Sequence, residues 1–440
     1  MCHSLLLTGT REIKTPTLIK QTQHAIAHVK ISENALRVVN RLNSAGYEAY
    51  LVGGCVRDLL LGRVPHDFDI ATNARPEHVE QLFRNCRLIG RRFRLAHVRF
   101  GREIVEVATF RGSHSDENAD GLSSEGRIVR DNVFGSTLEE DAWRRDFTVN
   151  ALYYDIKDFS VVDYTGGVEH LKAGVLQLMG DPALRYREDP VRMLRAVRFA
   201  AKLGFRIHPD SEAPLVELGA LLEDIPAARL FEEILKLFMG GDALVTFELL
   251  RHYQLFGHLF PQTEASLEKR PQAEVLMKQA LANTDARIRD GKPVTPAFLF
   301  AALLWEPMHQ MAEQLQTQEM GELQAMQIAS EMVVVRQVKR TALPKRFSVP
   351  MREIWAMQPR LRQRSGKRAL RLLTHPRFRA AYDFLLLRCS AGDDLQELCD
   401  WWTQFQGIES NEQEAMVKRI KPTETKPRRR RRKSPSSTGK

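Results

Sequence analysis

Residues 50–70 read YLVGGCVRDLLLGRVPHDFDI. Residues 48–52, apolar after Glu48, predict a buried strand, and Gly53-Gly54 directly after it predicts a tight turn whose backbone N–H groups can approach a phosphate. Residues 56–61 read as a short helix that carries Arg57 and Asp58. Asp67 and Asp69 stand two apart in a segment that can be extended, so both carboxylates point to one face while Phe68 and Ile70 pack behind them. An Asp-x-Asp pair alone is common in solvated loops. Beside a phosphate-binding turn it becomes a Mg²⁺ holder suited to triphosphate chemistry.

Three further constellations extend this reading. Residues 97–100 and 103–110 predict a hairpin turning at Gly101-Arg102. In its second strand Ile104, Glu106, Ala108 and Phe110 share a face, which sets a carboxylate among apolar neighbours and demands a partner. That partner is either an arginine (Arg91, Arg92 or Arg94) or a cation shared with Asp67 and Asp69. Residues 144–152 read RRDFTVNAL. Arg144 and Arg145 offer forked donors for a triphosphate, and Asp146 can orient them or contact a ribose or metal. Residues 187–198 read REDPVRMLRAVR. Asp189 suits a helix N-cap and Pro190 the first turn. On the helix that follows, Arg192, Arg195, Arg198 and Lys202 share one side and Leu194, Val197 and Ala201 the other, with Phe199 on the basic side.

Working outward, the 440-residue chain is 43% hydrophobic, which suits folded domains with sizeable cores. No apolar run is long enough to span a bilayer, and the N-terminus shows no signal-peptide pattern. The five cysteines show no paired spacing, which argues for reduced thiols in a cytosol and against a zinc site. The thirteen histidines form no ligand spacing. Trp401 and Trp402 read as packing residues rather than base-stacking platforms. The net charge is +10, and residues 411–440 account for most of it with eleven Lys/Arg against three Asp/Glu. The segment from 421 onward is Pro-, Thr- and Ser-rich, holds Arg428, Arg429, Arg430, Arg431, Arg432 and Lys433 in a row, and cannot bury a core. The pattern predicts an α+β chain. A loose lead-in covers 1–31, an α/β head 32–180, helical domains 181–260 and 261–407, and a disordered basic tail 408–440, with a long patternless loop at 112–130.

The stretch at 50–70 resembles the first catalytic motif of the nucleotidyltransferase superfamily, with its polymerase-beta-like head. It is most similar to the branch that holds bacterial poly(A) polymerases and CCA-adding tRNA nucleotidyltransferases. LFRNCRLIGRRFRLAHV at 82–98, PAFLFAALLW at 296–305 and HPRFRAAYD at 375–383 resemble the poly(A) polymerases in particular. The resemblance covers about residues 32–407. It implies template-independent addition of AMP from ATP to RNA 3′ ends, with two Mg²⁺ ions. Asp67 and Asp69 would hold them, with Glu106 or Asp146 as the third acid. Gly53, Gly54, Arg57 and Arg145 would grip the triphosphate, and Arg195 and Arg198 would lie along the nucleotide. Asp189 and Arg192 would read the edge of the incoming base. Because RNA is the polymer implied, the arginine block 428–433 becomes an RNA contact, and RNA-degradation machinery becomes the expected partner. Two rivals share these motifs in whole or part: a CCA-adding enzyme, and an RNA-binding protein with an inactive head.

Overall fold

The computed structural model describes residues 15–90, 94–112, 134–135, 137–316 and 320–420. The loop at 113–130, Arg91, Arg92 and the arginine block 428–433 lie outside the described residues. The chain divides into two compact units: Met1–Pro261 with Arg340–Ala342, and Gln262–Lys339 with Leu343–Lys440.

The first unit is built on eight strands: β1 (Thr17–Ile19), β2 (Ala49–Val52), β3 (Asp69–Thr72), β4 (Cys86–Ile89), β5 (Leu95–Phe100), β6 (Glu103–Thr109), β7 (Leu152–Tyr154) and β8 (Val161–Asp163). They form one sheet in the order β1-β8-β7-β2-β3-β6-β5-β4. Neighbours run antiparallel except β3 and β6, which run parallel. Register does the positioning: Asp69 lies opposite Val52 on one side and Glu106 on the other. Beneath this point Val52, Ala71, Phe110, Tyr153 and Val162 form a buried cluster.

Helix α1 (Glu33–Ser44) is capped by Ser32, whose Oγ accepts from the N–H groups of Asn34 and Ala35. It buries Ala35, Val38, Val39 and Leu42, the one-face spacing of an amphipathic helix. Burying each of the larger three side chains contributes about 1.5–3 kcal/mol. Helix α2 (Gly54–Leu60) springs directly from the Gly53 turn. Then come α3 (Pro76–Leu82), α4 (Leu138–Arg144), α5 (Gly167–Ala173), α6 (Pro182–Glu188) and α7 (Val191–Leu203). Helix α7 packs against the helices Ala227–Phe238 and Ala243–His252.

The second unit is helical. Helices Lys345–Leu361, Phe378–Ser390 and Gln396–Gly407 share a core of Met357, Leu361, Phe378, Tyr382, Leu385, Trp402 and Phe405. Trp402 is fully buried and its Nε1 donates to Leu361 O at 2.9 Å, so it is a packing residue.

Three features differ from the sequence pattern. Part of the expected loose lead-in is ordered, because β1 pairs with β8 and His24 Nε2 bonds Phe159 O at 2.9 Å. A three-residue edge strand shows no alternation to read. The expected tail beginning at 408 still holds a helix, Ser410–Lys418, whose Val417 enters the second core. In β6 the buried side is Val105, Val107 and Thr109; Ile104 is 38% exposed and the Glu106 side chain 41%. Glu106 thus faces an open side of the sheet rather than an apolar interior.

Candidate active site

The sharp turn after β2 begins the site. Gly53 adopts φ 79°, ψ −133°, a left-handed conformation that a side chain would strain. A Cβ there would also sit 3.5 Å from Arg145 Nη1 and 3.9 Å from Asp69 Oδ2. This turn, the segment before β3, and one face of α7 enclose a cavity of about 340 Å³. Of the residues expected from sequence, Gly53, Gly54, Arg57, Asp67, Asp69, Arg145, Asp146, Arg195 and Arg198 all line it.

The acids divide into two kinds. The carboxylates of Asp67 and Asp69 make no hydrogen bond or ion pair among the described residues. Burial, then the charge of Glu106, pushes Asp69 up from 3.8 to about 6; Asp67 adds to this and Arg145 opposes it. Glu106 is tied to His97 Nε2 at 3.2 Å, while Arg94 pairs with Glu77. Asp146 is neutralised instead. Its Oδ2 accepts from both Arg195 Nε, at 2.8 Å, and Arg195 Nη2, and its Oδ1 accepts from Phe147 N and Asn150 Nδ2. Burial alone would raise Asp146, but Arg195 and these donors hold it far below the carboxylate range.

The cations are arranged by the same logic. Asp141 Oδ2 accepts from Arg145 Nε at 3.0 Å, Arg145 Nη2 at 2.8 Å and Tyr153 OH at 2.7 Å, which fixes the Arg145 fork. Against burial, the Arg145 charge keeps Asp141 below its ordinary value. Arg57 is buried, with Nη1 donating to Asn150 Oδ1 at 2.6 Å and Nε to Asp58 Oδ1 at 2.9 Å. Asn150 therefore bridges Arg57 and Asp146, a role that nothing local in its sequence reveals.

Helix α7 presents Arg195, Arg198, Phe199 and Lys202 to the cavity at spacings of 3, 1 and 3. The Phe199 ring lies 5.4 Å from the Arg57 guanidinium, 5.3 Å from that of Arg195 and 4.8 Å from that of Arg198. Its edge contacts Phe147, 5.7 Å between centroids. Arg198 Nε is buried with no hydrogen-bond partner among the described residues, and burial and then the Arg195 charge lower its pKa. A guanidinium left in that state is poised for an anion.

Asp189 and Arg192 do not line this cavity, and the bond between them runs through the backbone, where Arg192 N–H donates to Asp189 O at 2.9 Å. Asp189 Oδ2 accepts from Arg229 Nη2 at 2.7 Å. Arg192 is buried, with Nη1 donating to Glu188 Oε2 at 2.8 Å and Arg185 O at 2.7 Å. Asp189 lies between α6 and α7, where its Oδ1 accepts from Val191 N.

Two free carboxylates facing a basic helix suit Mg²⁺. This ion commonly binds one or two protein carboxylates and takes its other ligands from water and phosphate oxygens. Among the described residues no three His, Cys, Asp or Glu side chains converge into a self-sufficient metal cage.

The chain matches three family profiles: "Poly A polymerase head domain" at residues 49–177, "Probable RNA and SrmB- binding site of polymerase A" at 204–267, and "Polymerase A arginine-rich C-terminus" at 318–436. It is 52% identical over 424 residues to Poly(A) polymerase I of Salmonella typhimurium, covering 94% of this chain and 91% of that one. The chain belongs to the poly(A) polymerase family. Within this family it is 46% identical to Poly(A) polymerase I of Haemophilus influenzae, over 94% of this chain and 93% of the relative. The CCA-adding enzyme of Lactobacillus helveticus matches at 40% over only 50% of this chain and 53% of the relative. Among solved structures the fold resembles the Bacillus stearothermophilus CCA-adding enzyme in complex with CTP. The TM-score is 0.55 at 27% identity, covering 88% of this chain and 81% of that one. The sequence matches favour the poly(A) branch over the CCA-adding rival: those to the polymerases run over 94% of the chain, and that to the CCA-adding enzyme over half of it.

Proposed function

We propose that this polymerase adds AMP from ATP to RNA 3′ ends without a template, with Asp67 and Asp69 as the essential acids. The observation that carries the proposal is their unpaired state in a cavity walled by Arg145, Arg195 and Arg198. In the reaction the RNA 3′-oxygen bonds to the α-phosphorus, the bond from that phosphorus to the β-phosphate bridging oxygen breaks, and pyrophosphate leaves. Two Mg²⁺ ions held by Asp67 and Asp69, with Glu106 nearby, would neutralise phosphate charge and acidify the 3′-hydroxyl. Glu106 and Asp146 are the two candidates for the third acid: Glu106 stands beside Asp69 in register and is bonded to His97, while Asp146 lines the cavity and is bonded to Arg195.

Arg145, held by Asp141, and Arg198, with an unpartnered Nε, would bind the triphosphate oxygens; the Gly53-Gly54 turn supplies backbone donors. Arg57 and Asp146 act at one remove, through Asn150 and Arg195, by fixing this wall. Asp189 and Arg192 would read the base edge once Arg229 and Glu188 release them. Catalysis is then mostly positioning and charge neutralisation. The helical body and the block Arg428–Lys433 would hold the RNA backbone without reading sequence. A cytoplasmic setting and a role in marking RNA for degradation machinery complete the reading. Among the described residues no helix is long and apolar enough to cross a membrane.

The test is to incubate the protein and Mg²⁺ with a generic RNA and single nucleotides. Long products from ATP alone are expected. Short C and A addition confined to tRNA would instead indicate a CCA-adding enzyme, and no extension would defeat both enzyme readings.

A further inference from the structure

The second unit has a larger cavity, of about 410 Å³, between the helices Glu322–Arg340 and Lys345–Leu361 and beside His375. The size falls in the usual range of ligand pockets, roughly 300–1,000 Å³. Its floor is apolar: Met326, Met357 and Trp355 are buried, and Trp355 Nε1 is already spent on Ala301 O at 3.0 Å. Its rim is polar and in part uncommitted. The guanidinium groups of Arg352 and Arg360 and the carboxylate of Glu331 make no hydrogen bond or ion pair among the described residues. The other rim acid, Glu353, is taken by Arg377 Nε at 3.0 Å. Arg377 N–H donates to His375 Nδ1 at 3.1 Å, so in the neutral ring the proton sits on Nε2, which is left as a donor.

Two forked cations, donors from His375 and the Gln327 amide, an apolar floor and the Glu331 carboxylate make up a set that suits a nucleotide within a strand. Arginines take phosphates, an apolar face takes the base, and a carboxylate accepts from an exocyclic amine. Adenine, cytosine and guanine present such an amine; uracil does not. Resting on the reading that RNA is the substrate, we propose that this cavity is a second RNA subsite, selective for amine-bearing nucleotides, adenine among them, over uracil. In a poly(A)-adding enzyme it would hold adenylates already added and so favour tailed RNA.

The experiment uses the full-length protein with equal-length, 3′-blocked oligo(A) and oligo(U), measuring affinity against salt. Replacing Arg352 and Arg360 together by alanine should lower the slope of log K against log salt by about 1.4, two single-strand phosphate contacts. The double lysine variant should keep most of the slope. Glu331→Met should leave oligo(U) binding equal or tighter while erasing a preference for oligo(A) of about tenfold, the size of one good base-edge contact. An unchanged slope in the alanine variant, or an unchanged oligo(A)/oligo(U) ratio in Glu331→Met, overturns the subsite. Thermal melts matching wild type exclude misfolding as the cause. Primer extension by the wild type tests the polymerase reading separately, since the subsite can fail while extension survives.

Discussion

Replacing Asp69 by asparagine should abolish catalysis and stabilise the protein at once. Asp69 is pushed from 3.8 to about 6 by burial and by the neighbouring charges of Glu106 and Asp67. At about 1.4 kcal/mol per tenfold, that rise means the ionised carboxylate costs the fold about 3 kcal/mol near pH 7. The sign follows from the direction of the rise. Between about pH 4 and 6 the folded state binds a proton that the unfolded state has released, so wild-type stability falls as pH climbs through this window. Above it the whole penalty is present; below about pH 4 it vanishes. Asparagine carries no charge at any pH. The variant should therefore gain about 1–3 kcal/mol at pH 7.5, several degrees in Tm for a unit of this size, and nothing at pH 4. Mg²⁺ should raise the wild-type Tm more than the variant's, because it relieves the same repulsion. Extension should drop by at least about a thousandfold, the equivalent of losing several kcal/mol of charge stabilisation. Differential scanning across pH, with and without Mg²⁺, checks the stability half. A variant Tm no higher than wild type at pH 7.5, or a gap that does not change with pH, would refute the reasoning even if activity is lost.

The remaining expectations concern the cations. Phe199→Leu should raise KM for ATP by about tenfold with kcat less affected, since three guanidinium contacts of about 0.5–2 kcal/mol each are loosened; Phe199→Tyr should restore it, and steady-state kinetics of the pair decides. Arg198→Ala should weaken ATP binding by calorimetry while leaving RNA affinity within about twofold, because its buried Nε is waiting for an anion; an effect on RNA alone would reassign it. Arg192→Ala should lower the ratio of kcat/KM for ATP to that for CTP; an unchanged ratio with a lower Tm would make Arg192 a structural partner of Glu188. Truncation of residues 421–440 should reduce the salt slope of RNA binding by roughly two, about three phosphate contacts, with activity preserved at saturating RNA; parallel lines for the two forms would remove RNA from the tail's role.

Which charges this chain carries is legible in its sequence, but which of them remain available is not. Asp67 and Asp69 read as metal holders, Asp146 as a third acid or an orienter of arginines, and Asp189 as a helix cap and reader of the base edge, all from motifs alone. The glycine turn is a local feature, so the turn and the helix after it could be read directly; Asp67 and Asp69 both line the cavity, though Asp67 stands in a bend before β3 rather than on the strand. The fate of the other two acids depends on residues far along the chain. Arg195 reaches back 49 positions to neutralise Asp146, and Arg229 reaches back 40 to occupy Asp189. Asn150 joins Arg57 across 93 positions. Phe199 looked like an interruption of a basic face because a helical wheel shows only its own helix. In the fold it is the surface around which guanidinium groups from α2 and α7 gather. Local pattern supplies the inventory of acids and bases, while tertiary pairing subtracts from it. What survives the subtraction among the described residues, the carboxylates of Asp67 and Asp69 and the Nε of Arg198, is the part of the inventory that we propose meets the triphosphate. An acid's long-range partner is therefore better evidence about its role than the motif in which it sits.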